Sequence, residues 1–307
     1  MVDIGANLTH RSFNPDLEGV VSEFFDEKEF TAIVITGTSI QGSWNAHQIV
    51  DRFHKPAKPR RNLFSTVGIH PHDAKSFNED AQKKLERYIQ FSYVVAVGEC
   101  GLDYNRMFST KEQQKRCFRF QIELAIKLKL PLFLHERDAF DDFIEILDEY
   151  RDGLEKINVV VHCFTGTVDQ AKEYVSRGFY IGVTGWISDK RRNSSLLEAV
   201  KYVPTDKLMV ETDSPFLSPT KSKRNTPSNL EYVIRDLAKA LNQDPELIKK
   251  VTRKTSIKFF NLPIDLSKIE GEEASVKEAL RLAAEEEKER PKFKEDDFPP
   301  LGVSKYL

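Results

Sequence analysis

Polar residues suited to metal or phosphate chemistry directly follow one apolar run after another in this sequence. They are Asn7, His70 with His72, Glu99, His135, His162 and Asp213. The small and β-branched residues of Val94–Gly98 are typical of a strand buried on both faces, and Glu99 comes directly after them. Because burial of an unpaired carboxylate is unfavourable, Glu99 needs a metal ion or an arginine beside it, unless the strand simply ends in solvent.

Two histidines and two carboxylates of this set would form a mixed nitrogen and oxygen site if the fold brings them together. Such a site suits Mg²⁺, Mn²⁺ or Zn²⁺ and is too hard for Cu(I). Taken alone, His135 or His162 is equally consistent with a hydrogen-bonded core histidine, and it is their convergence with Glu99 and Asp213 that favours a metal. A metal held in this way favours hydrolysis, because it activates water and neutralises developing charge.

The elements that must position these residues alternate as repeated βα units, which predicts a parallel sheet. The predicted strands are Val2–Ala6, Thr31–Thr36, Leu63–Ile69, Val94–Gly98, Pro131–Leu134, Val159–Val161, Phe179–Val183 and Leu208–Glu211. Eight strands with intervening helices, and no GxGxxG motif after the first strand, favour an α/β fold of the closed (β/α)8 TIM-barrel type over an open doubly wound sheet. In such a barrel the strand ends meet on one face, where catalytic groups lie.

The barrel is expected to occupy residues 1–262, and a charged extension to occupy residues 263–307. Predicted helices include Lys111–Lys129, Asn229–Leu241 and Pro245–Phe260. In the extension, Gly271–Arg290 is rich in Glu, Lys, Ala and Leu with a narrow apolar stripe, which predicts a solvated helix. The residues after Pro291 are typical of a flexible tail, although Phe298–Leu301 is an apolar cluster of the kind that protein partners bind.

The overall charge excludes a general attraction to nucleic acid or to acidic membranes. The chain has 307 residues, with 46 Lys and Arg against 48 Asp and Glu. An anionic substrate must therefore be held by a local site. Three cysteines without paired spacing indicate a reducing compartment, and no apolar run is long enough to span a bilayer. With no leader-like segment after Met1, we expect a protein of the cytoplasm or the nucleus.

Basic residues in two loops could supply such a local site. Lys190, Arg191 and Arg192 follow the seventh strand, and Lys221, Lys223 and Arg224 follow the eighth. Both groups would overhang the face where the strands end and attract an anion, although ordinary solvated loop charges remain the alternative. Trp186 lies at the end of the seventh strand, where it could stack on a base or pack the barrel mouth.

The motifs at successive strand ends resemble those of the TatD-type metal-dependent deoxyribonucleases of the amidohydrolase-like barrel superfamily. The matching segments are DIGANLT at 3–9, ITGT at 35–38, VGIHPHD at 67–73, VGECGLDYNR at 97–106, LPLFLHERDA at 130–139, VVHCFTGT at 160–167, YIGVTGW at 180–186, LMVETDSPFL at 208–217, RNTP at 224–227 and TSIKFF at 255–260. The resemblance implies that Glu99, His135, His162 and Asp213 bind the metal. It also implies that Asp213 orients or deprotonates the attacking water and that His70 contacts the scissile phosphate.

Further candidate substrate contacts on these motifs and loops are Asn7, His72, Trp186, Arg191 and Arg224.

Three positions depart from the pattern of the wider family. Many members carry HxH on the first strand, where this chain has Gly5 and Asn7, so a second metal site would lack two ligands. Residue 136 is Glu where Cys is common, and its carboxylate could face the barrel wall or bind metal weakly. The motif RNEP reads RNTP, so any contact made by that Glu is lost at Thr226.

The resemblance implies a divalent-metal phosphodiesterase that acts as a 3′→5′ exonuclease on single-stranded DNA, with RNA as a further substrate, in DNA degradation or repair. Two alternatives are a barrel hydrolase of a small amide, lactone or phosphotriester, and a non-catalytic binding protein. The basic loops and the absence of the first-strand HxH argue against the first alternative. The four ligand positions present at strand ends argue against the second.

Overall fold

Eight parallel strands form one sheet in which each strand pairs with the next along the chain. This computed structural model describes residues 1–26, 29–54 and 62–266. Within those residues the strands are β1 (Val2–Ala6), β2 (Ala32–Ile35), β3 (Leu63–Val67), β4 (Val94–Asp103), β5 (Leu132–Arg137), β6 (Val159–Val161), β7 (Tyr180–Val183) and β8 (Leu208–Val210). The parallel sheet and its chain-order pairing confirm the predicted (β/α)8 architecture.

Hydrogen bonds just after β8 connect the last strand to the first. The backbone N–H of Asp213 donates to the Gly5 carbonyl at 2.8 Å, and that of Asn7 donates to the Ser214 carbonyl at 2.7 Å. The buried carboxylate of Asp3 adds two further bonds, from the backbone N–H of Thr212 at 2.9 Å and from its hydroxyl at 2.6 Å. These contacts nearly close the barrel and hold the chain after β8 against β1.

Helices alternate with the strands as predicted. In the described residues they are α1 (Leu17–Asp26), α2 (Ile40–Phe53), α3 (Glu79–Tyr88), α4 (Lys111–Leu128), α5 (Phe140–Glu149), α6 (Arg151–Leu154), α7 (Val168–Ser176), α8 (Ser194–Ala199), α9 (Leu230–Leu241) and α10 (Pro245–Phe259). Helix α4 begins with a capping box between Thr110 and Gln113, and Lys129, whose φ is 56°, caps its C-terminus. The predicted bounds of α4, α9 and α10 are therefore confirmed to within one residue at each end.

Strands β4 and β5 run further than predicted, and this places two site residues inside strands. The prediction that β4 ends at Gly98 and β5 at Leu134 was wrong, because pairing continues to Asp103 with Arg137. Gly98 and Gly101 both have a φ of 140°, and a Cβ at Gly101 would overlap the carbonyl of His135. Glycine thus lets the two backbones stay close beyond Glu99, so a polar residue did not mark the end of either strand.

The predicted extension lies almost wholly outside the described residues. Met1–Ile264 forms one compact unit by itself. The helix predicted at Gly271–Arg290, the tail after Pro291 and the apolar cluster Phe298–Leu301 fall outside the described ranges, so they stay predictions, as does the domain boundary after residue 262. Within those ranges, no helix combines the length and the hydropathy needed to cross a membrane.

Candidate metal and phosphate site

The carboxyl ends of the strands bring the predicted site residues to one mouth of the barrel. Asn7 follows β1, His70 and His72 follow β3, Glu99 lies in β4, His135 in β5, and His162 and Asp213 follow β6 and β8. Pro71, directly after His70, begins a short 3-10 helix that turns His70 and His72 toward the centre.

Glu99 is the centre of the cluster. Its Oε1 atom lies 2.8 Å from His162 Nε2, 3.1 Å from His135 Nδ1 and 3.2 Å from His70 Nε2. Burial of Glu99 acts to raise its pKa, but the charges and hydrogen bonds of the surrounding histidines outweigh burial and hold the pKa well below its ordinary value. Glu99 is therefore an anionic oxygen donor with imidazole nitrogens on several sides.

A carboxylate behind each ring fixes the tautomers of His135 and His162. His135 Nε2 lies 3.2 Å from Asp103 Oδ2, and His162 Nδ1 lies 3.3 Å from Glu211 Oε2. Because each rear nitrogen faces a carboxylate, it carries the proton, and the nitrogen that faces Glu99 is left with its lone pair in the neutral ring.

A lone pair aimed at a carboxylate needs a cation between the two groups. Without a metal, a second proton supplies that positive charge. Burial acts to lower the pKa of both His135 and His162, but the neighbouring carboxylates outweigh burial and raise both values, that of His162 far above its ordinary range. Two imidazole nitrogens and the carboxylate of Glu99 therefore form a donor set that fits a divalent metal ion, whose binding would release those protons.

His70 differs from the other two histidines in its tautomer. Its Nδ1 accepts the backbone N–H of His72 at 3.0 Å, so the proton of the neutral ring is on Nε2, which faces Glu99. Burial lowers the pKa of His70 to about 4, which keeps the ring neutral near pH 7. His70 is therefore set up as a hydrogen-bond donor at the mouth of the site.

The distances alone group the residues differently from the prediction. Ligand atoms of His70, Glu99 and His135 all lie within 4.8 Å of one another, whereas the prediction combined Glu99 and His135 with His162 and Asp213. The hydrogen bond into His70 Nδ1 favours a donor role for this residue, because binding a metal through Nε2 would move the proton to Nδ1 and break that bond.

Asn7 holds the remaining carboxylate of the predicted set. Its Nδ2 donates to Asp213 Oδ1 at 2.8 Å. Burial raises the pKa of Asp213 to about 7, against the opposing charge of His162. Within the described residues no donor reaches Oδ2, so this oxygen can accept a proton or a metal. Asn7 was predicted to contact substrate, and its partner in this structure is Asp213.

This fold and site match one family throughout. The family model of the TatD-related DNases matches residues 2–261. A "3′-5′ ssDNA/RNA exonuclease TatD" of Citrobacter rodentium is 36% identical over 270 residues, which are 86% of this chain and 99% of that protein. The protein of the same name from Escherichia coli K12 is 37% identical over 258 residues, 82% of this chain and 95% of that one. The chain belongs to the TatD-related DNase family.

Solved structures agree with this assignment. A TatD family hydrolase of Entamoeba histolytica has 25% sequence identity and a TM-score of 0.78, covering 85% of this chain and 97% of that one. A TatD homologue of Escherichia coli K12, at 23% identity and a TM-score of 0.76, shows the same fold over 86% of this chain and 98% of its own.

The structure of this TatD-family chain shows two carboxylates behind the site, Asp103 and Glu211, that were not predicted from the sequence. Asp103 Oδ2 also lies 2.8 Å from His72 Nε2, so one buried oxygen serves two histidines. Glu211 directly follows the apolar run Leu208–Val210, and that signal could have found it. The sequence could not show that both carboxylates point at the rear nitrogens of metal-binding candidates.

The glycine at the first strand of this TatD chain makes room for Glu211. A Cβ at Gly5 would overlap Glu211 Oε2, and a Cβ at Gly182 would lie 2.7 Å from Oε1. The backbone N–H of Cys163 donates to Oε1 at 2.5 Å, so the carboxylate is fixed at both oxygens. The departure from the family pattern at Gly5 is therefore linked to Glu211, because a side chain at position 5 would occupy the space of the Glu211 carboxylate.

Two of the basic loop residues that were predicted to contact substrate are already paired. Arg191 makes two bonds of 2.8 Å to Asp189, and Arg224 makes bonds of 2.8 and 2.6 Å to Asp16. Their predicted contacts with substrate would require these pairs to be exchanged or shared. Lys190, Lys221 and Lys223 are exposed and form no ion pair within the ranges that the structure describes.

Trp186 packs in the barrel mouth, and its ring is only partly free to stack on a base. The guanidinium of Arg192 lies 3.7 Å from the ring centroid, and the indole N–H donates to the Arg192 carbonyl at 3.1 Å. One face of the ring is therefore covered. Glu136 faces the barrel wall, because its oxygens accept from the Ala139 backbone at 2.8 Å and from the Tyr174 hydroxyl at 3.3 Å.

Proposed function

We propose that this chain is a divalent-metal-dependent phosphodiesterase that removes nucleotides from the 3′ end of single-stranded DNA or RNA. The observation that carries the proposal is the donor set around Glu99, in which Asp103 and Glu211 leave the lone pairs of His135 and His162 directed at one carboxylate. The names of the relatives at 36 to 37% identity support the nucleic-acid substrate and the direction of cleavage.

Glu99, His135, His162 and Asp213 would hold the metal, with Mg²⁺, Mn²⁺ and Zn²⁺ as the candidates. When bound, such an ion activates water and neutralises charge that develops on the phosphoryl oxygens. The surrounding chain contributes a water-poor setting, because Glu99 and His162 are each 5% exposed.

Asp213 is the residue that we propose as the general base. Asn7 donates to Oδ1, so Oδ2 is the oxygen that would contact both the ion and the attacking water. Burial raises the pKa of Asp213 to about 7 in the metal-free chain, and a bound cation would lower it, so the ionised carboxylate would be the form that meets the water. Asn7 thereby acts by orienting Asp213.

His70 is the residue that we propose to meet the scissile phosphate. Its ring is neutral with the proton on Nε2, and this proton is now donated to Glu99 at 3.2 Å. In the substrate complex the same N–H would donate to a phosphoryl oxygen, where it stabilises the charge that grows as the water attacks.

The exposed lysines of the two loops would attract the remaining phosphates. Lys190, Lys221 and Lys223 have no partner carboxylate within the described residues, so they can contact the nucleic-acid backbone without breaking an existing pair. We further propose a role in DNA degradation in the cytoplasm. The free cysteines Cys100, Cys117 and Cys163 are consistent with a reducing compartment.

A product ladder on end-labelled strands tests the proposal. Protein freed of metal should not cleave a 5′-labelled single strand, and Mg²⁺ or Mn²⁺ should restore a ladder that shortens from the 3′ end. A 3′-phosphorothioate terminus should slow the first cut, and Asp213→Asn should abolish the ladder. Turnover of a small ester or lactone without cleavage of any strand would favour a small-molecule hydrolase. Absence of turnover on every substrate would favour a binding protein.

A further inference from the structure

Two phenylalanine rings stand exposed at the mouth of the barrel. Within the described residues, the large hydrophobic side chains with the highest exposure are Phe108 at 55%, Phe216 at 50%, Met107 at 43% and Tyr232 at 38%. Phe108 is in the loop after β4 and Phe216 is in the loop after β8. Because the eight strands follow one another in chain order, β4 and β8 lie on opposite sides of the barrel. The two loops therefore emerge on opposite sides of the barrel mouth in which the site around Glu99 lies.

Phe108 stands next to the histidines of the site and is held by a fixed loop. Its ring meets His72 edge to face, with the centroids 5.0 Å apart, and the His72 ring lies 4.2 Å from His70. Upstream, the backbone N–H of Arg106 donates to Asp103 Oδ1 at 3.1 Å.

The same loop is also fixed on the downstream side of Phe108. The side chain of Gln114, which is fully buried, donates to the Ser109 carbonyl at 3.0 Å. The ring is thus presented on a loop that is anchored on both sides, so little ordering is needed when it binds a ligand.

Phe216 is fixed in a similar way on the other side. Its backbone N–H donates to the Asp213 carbonyl at 3.0 Å, and its carbonyl accepts from Asn225 Nδ2 at 2.8 Å. The ring meets His10 edge to face at 5.4 Å, which leaves half of its surface open. It lies three residues after the proposed general base.

Cations without an ion pair lie close to both rings along the chain. Arg106 is exposed two residues before Phe108, and Lys221 and Lys223 are exposed shortly after Phe216. None of the three forms an ion pair within residues 1–26, 29–54 and 62–266, in contrast to Arg224, which is paired with Asp16. An aromatic face beside an unpaired cation is the combination that binds a base and its phosphate in single-stranded nucleic acid.

We propose that Phe108 and Phe216 are stacking platforms for two bases of the single strand, one on each side of the scissile phosphate, with Arg106 and the two lysines contacting the adjacent phosphates. This inference rests on the proposed function and names the subsites of that site. Stacking on a ring face requires an unpaired base and reads no base edge, so the platforms select single strands and tolerate any sequence.

Abasic substitution combined with ring removal tests the platforms. The substrates are a 5′-fluorescein-labelled oligothymidylate and the same strand with one tetrahydrofuran abasic residue moved along its 3′ end. The variants are Phe108→Ala and Phe216→Ala, with Phe108→Trp and Phe216→Trp to restore a ring. Tyr232→Ala removes a similarly exposed ring from α9 and is the matched control. For each pair KM and kcat are measured with Mn²⁺, and Tm is measured for each protein.

Each alanine variant should raise KM about 5- to 20-fold on the full strand, the lower part of the range for one stacked base because the rings are half exposed. The same variant should change KM less than 2-fold on the strand whose abasic residue occupies that platform. The tryptophan variants should restore KM, and Tyr232→Ala should leave it unchanged.

Equal increases of KM on full and abasic strands would overturn the proposal, as would no increase on either. If the wild-type chain cleaves no strand, the proposed function fails, and dissociation constants from fluorescence anisotropy with the same strands then test the platforms separately. If an alanine variant has a lower Tm, the same measurements are made with Phe108→Leu and Phe216→Leu, which keep an apolar side chain without a ring.

Discussion

Replacement of Glu211 by glutamine should remove metal affinity without unfolding the barrel. The backbone N–H of Cys163 donates to Oε1 at 2.5 Å, so the amide oxygen of a glutamine must stay at that position. The amide NH₂ then faces His162 Nδ1, which at present donates to Oε2. Two donors cannot face each other, so His162 must move its proton to Nε2, the nitrogen that faces Glu99.

The expected loss follows from the role of the carboxylate behind a metal-binding histidine. Removal of such a partner weakens metal binding by about 10- to 100-fold, or about 1.4–2.7 kcal/mol. The fold should tolerate the change, because the bond from Cys163 is kept and a buried charge close to Asp213 is removed. We therefore expect the free energy of unfolding of the metal-free protein to change by about 1 kcal/mol or less.

Calorimetric titration with Mn²⁺ and thermal unfolding, measured side by side, separate these effects. Asp103→Asn is the parallel variant for His135, because the backbone N–H groups of Asn105 and Arg106 hold the oxygen at Oδ1. Glu136→Gln is the matched control, since that carboxylate faces Ala139 and Tyr174.

The tautomer itself can be observed through the nitrogen chemical shifts of the imidazole of His162. Wild-type affinity in Glu211→Gln, or a proton that remains on His162 Nδ1, would refute the assigned tautomers. A fall in Tm as large as that caused by a cavity in the core would indicate that the Glu211 carboxylate has only a structural role.

Three further outcomes are expected. His162→Ala should lose the metal, whereas His70→Ala should keep it and lose about 100- to 1000-fold in kcat. Elemental analysis and kinetics of both variants measure these effects. Loss of the metal in His70→Ala but not in His162→Ala would contradict the assigned roles. Alanine at Lys221 and Lys223 should raise KM and flatten its dependence on salt with little change in kcat, and an unchanged salt slope would remove these lysines from the substrate path. Truncation after Leu262 should keep kcat within a few-fold, and a loss of about 100-fold with an intact fold would give the extension a catalytic part.

The order of the strands and the convergence of the polar residues at their ends were predictable from the sequence because both depend on local patterns. A short β-branched run such as Val159–Val161 predicts a buried strand, and the observed bounds of β6 are the same. Barrel topology then places each strand end at one mouth, which is how Glu99 and His162 could be predicted to meet. The contact between them, 2.8 Å, confirms that convergence.

Contacts between distant segments were not predictable in the same way. Two glycines let β4 continue beyond Glu99 against β5, and glycine alone in a sequence is equally consistent with a strand end. Trp186 was predicted either to stack on a base or to pack the barrel mouth, because it is a large aromatic residue at the end of the seventh strand. Arg192 covers one of its faces, while Phe108, five residues beyond the end of β4, and Phe216 after β8 have exposed rings.

The glycine that replaces the first-strand histidine is better understood together with Glu211 than as the loss of a metal ligand alone. Gly5 leaves space that Glu211 fills, and Glu211 in turn fixes the proton of His162. A histidine introduced at position 5 would have to displace this carboxylate, and His162 would then lose the acceptor that keeps its lone pair toward Glu99. A second metal ligand on β1 and a correctly oriented His162 are therefore alternatives in this barrel. This favours a single tightly bound ion, with any further cation depending on oxygens from the substrate.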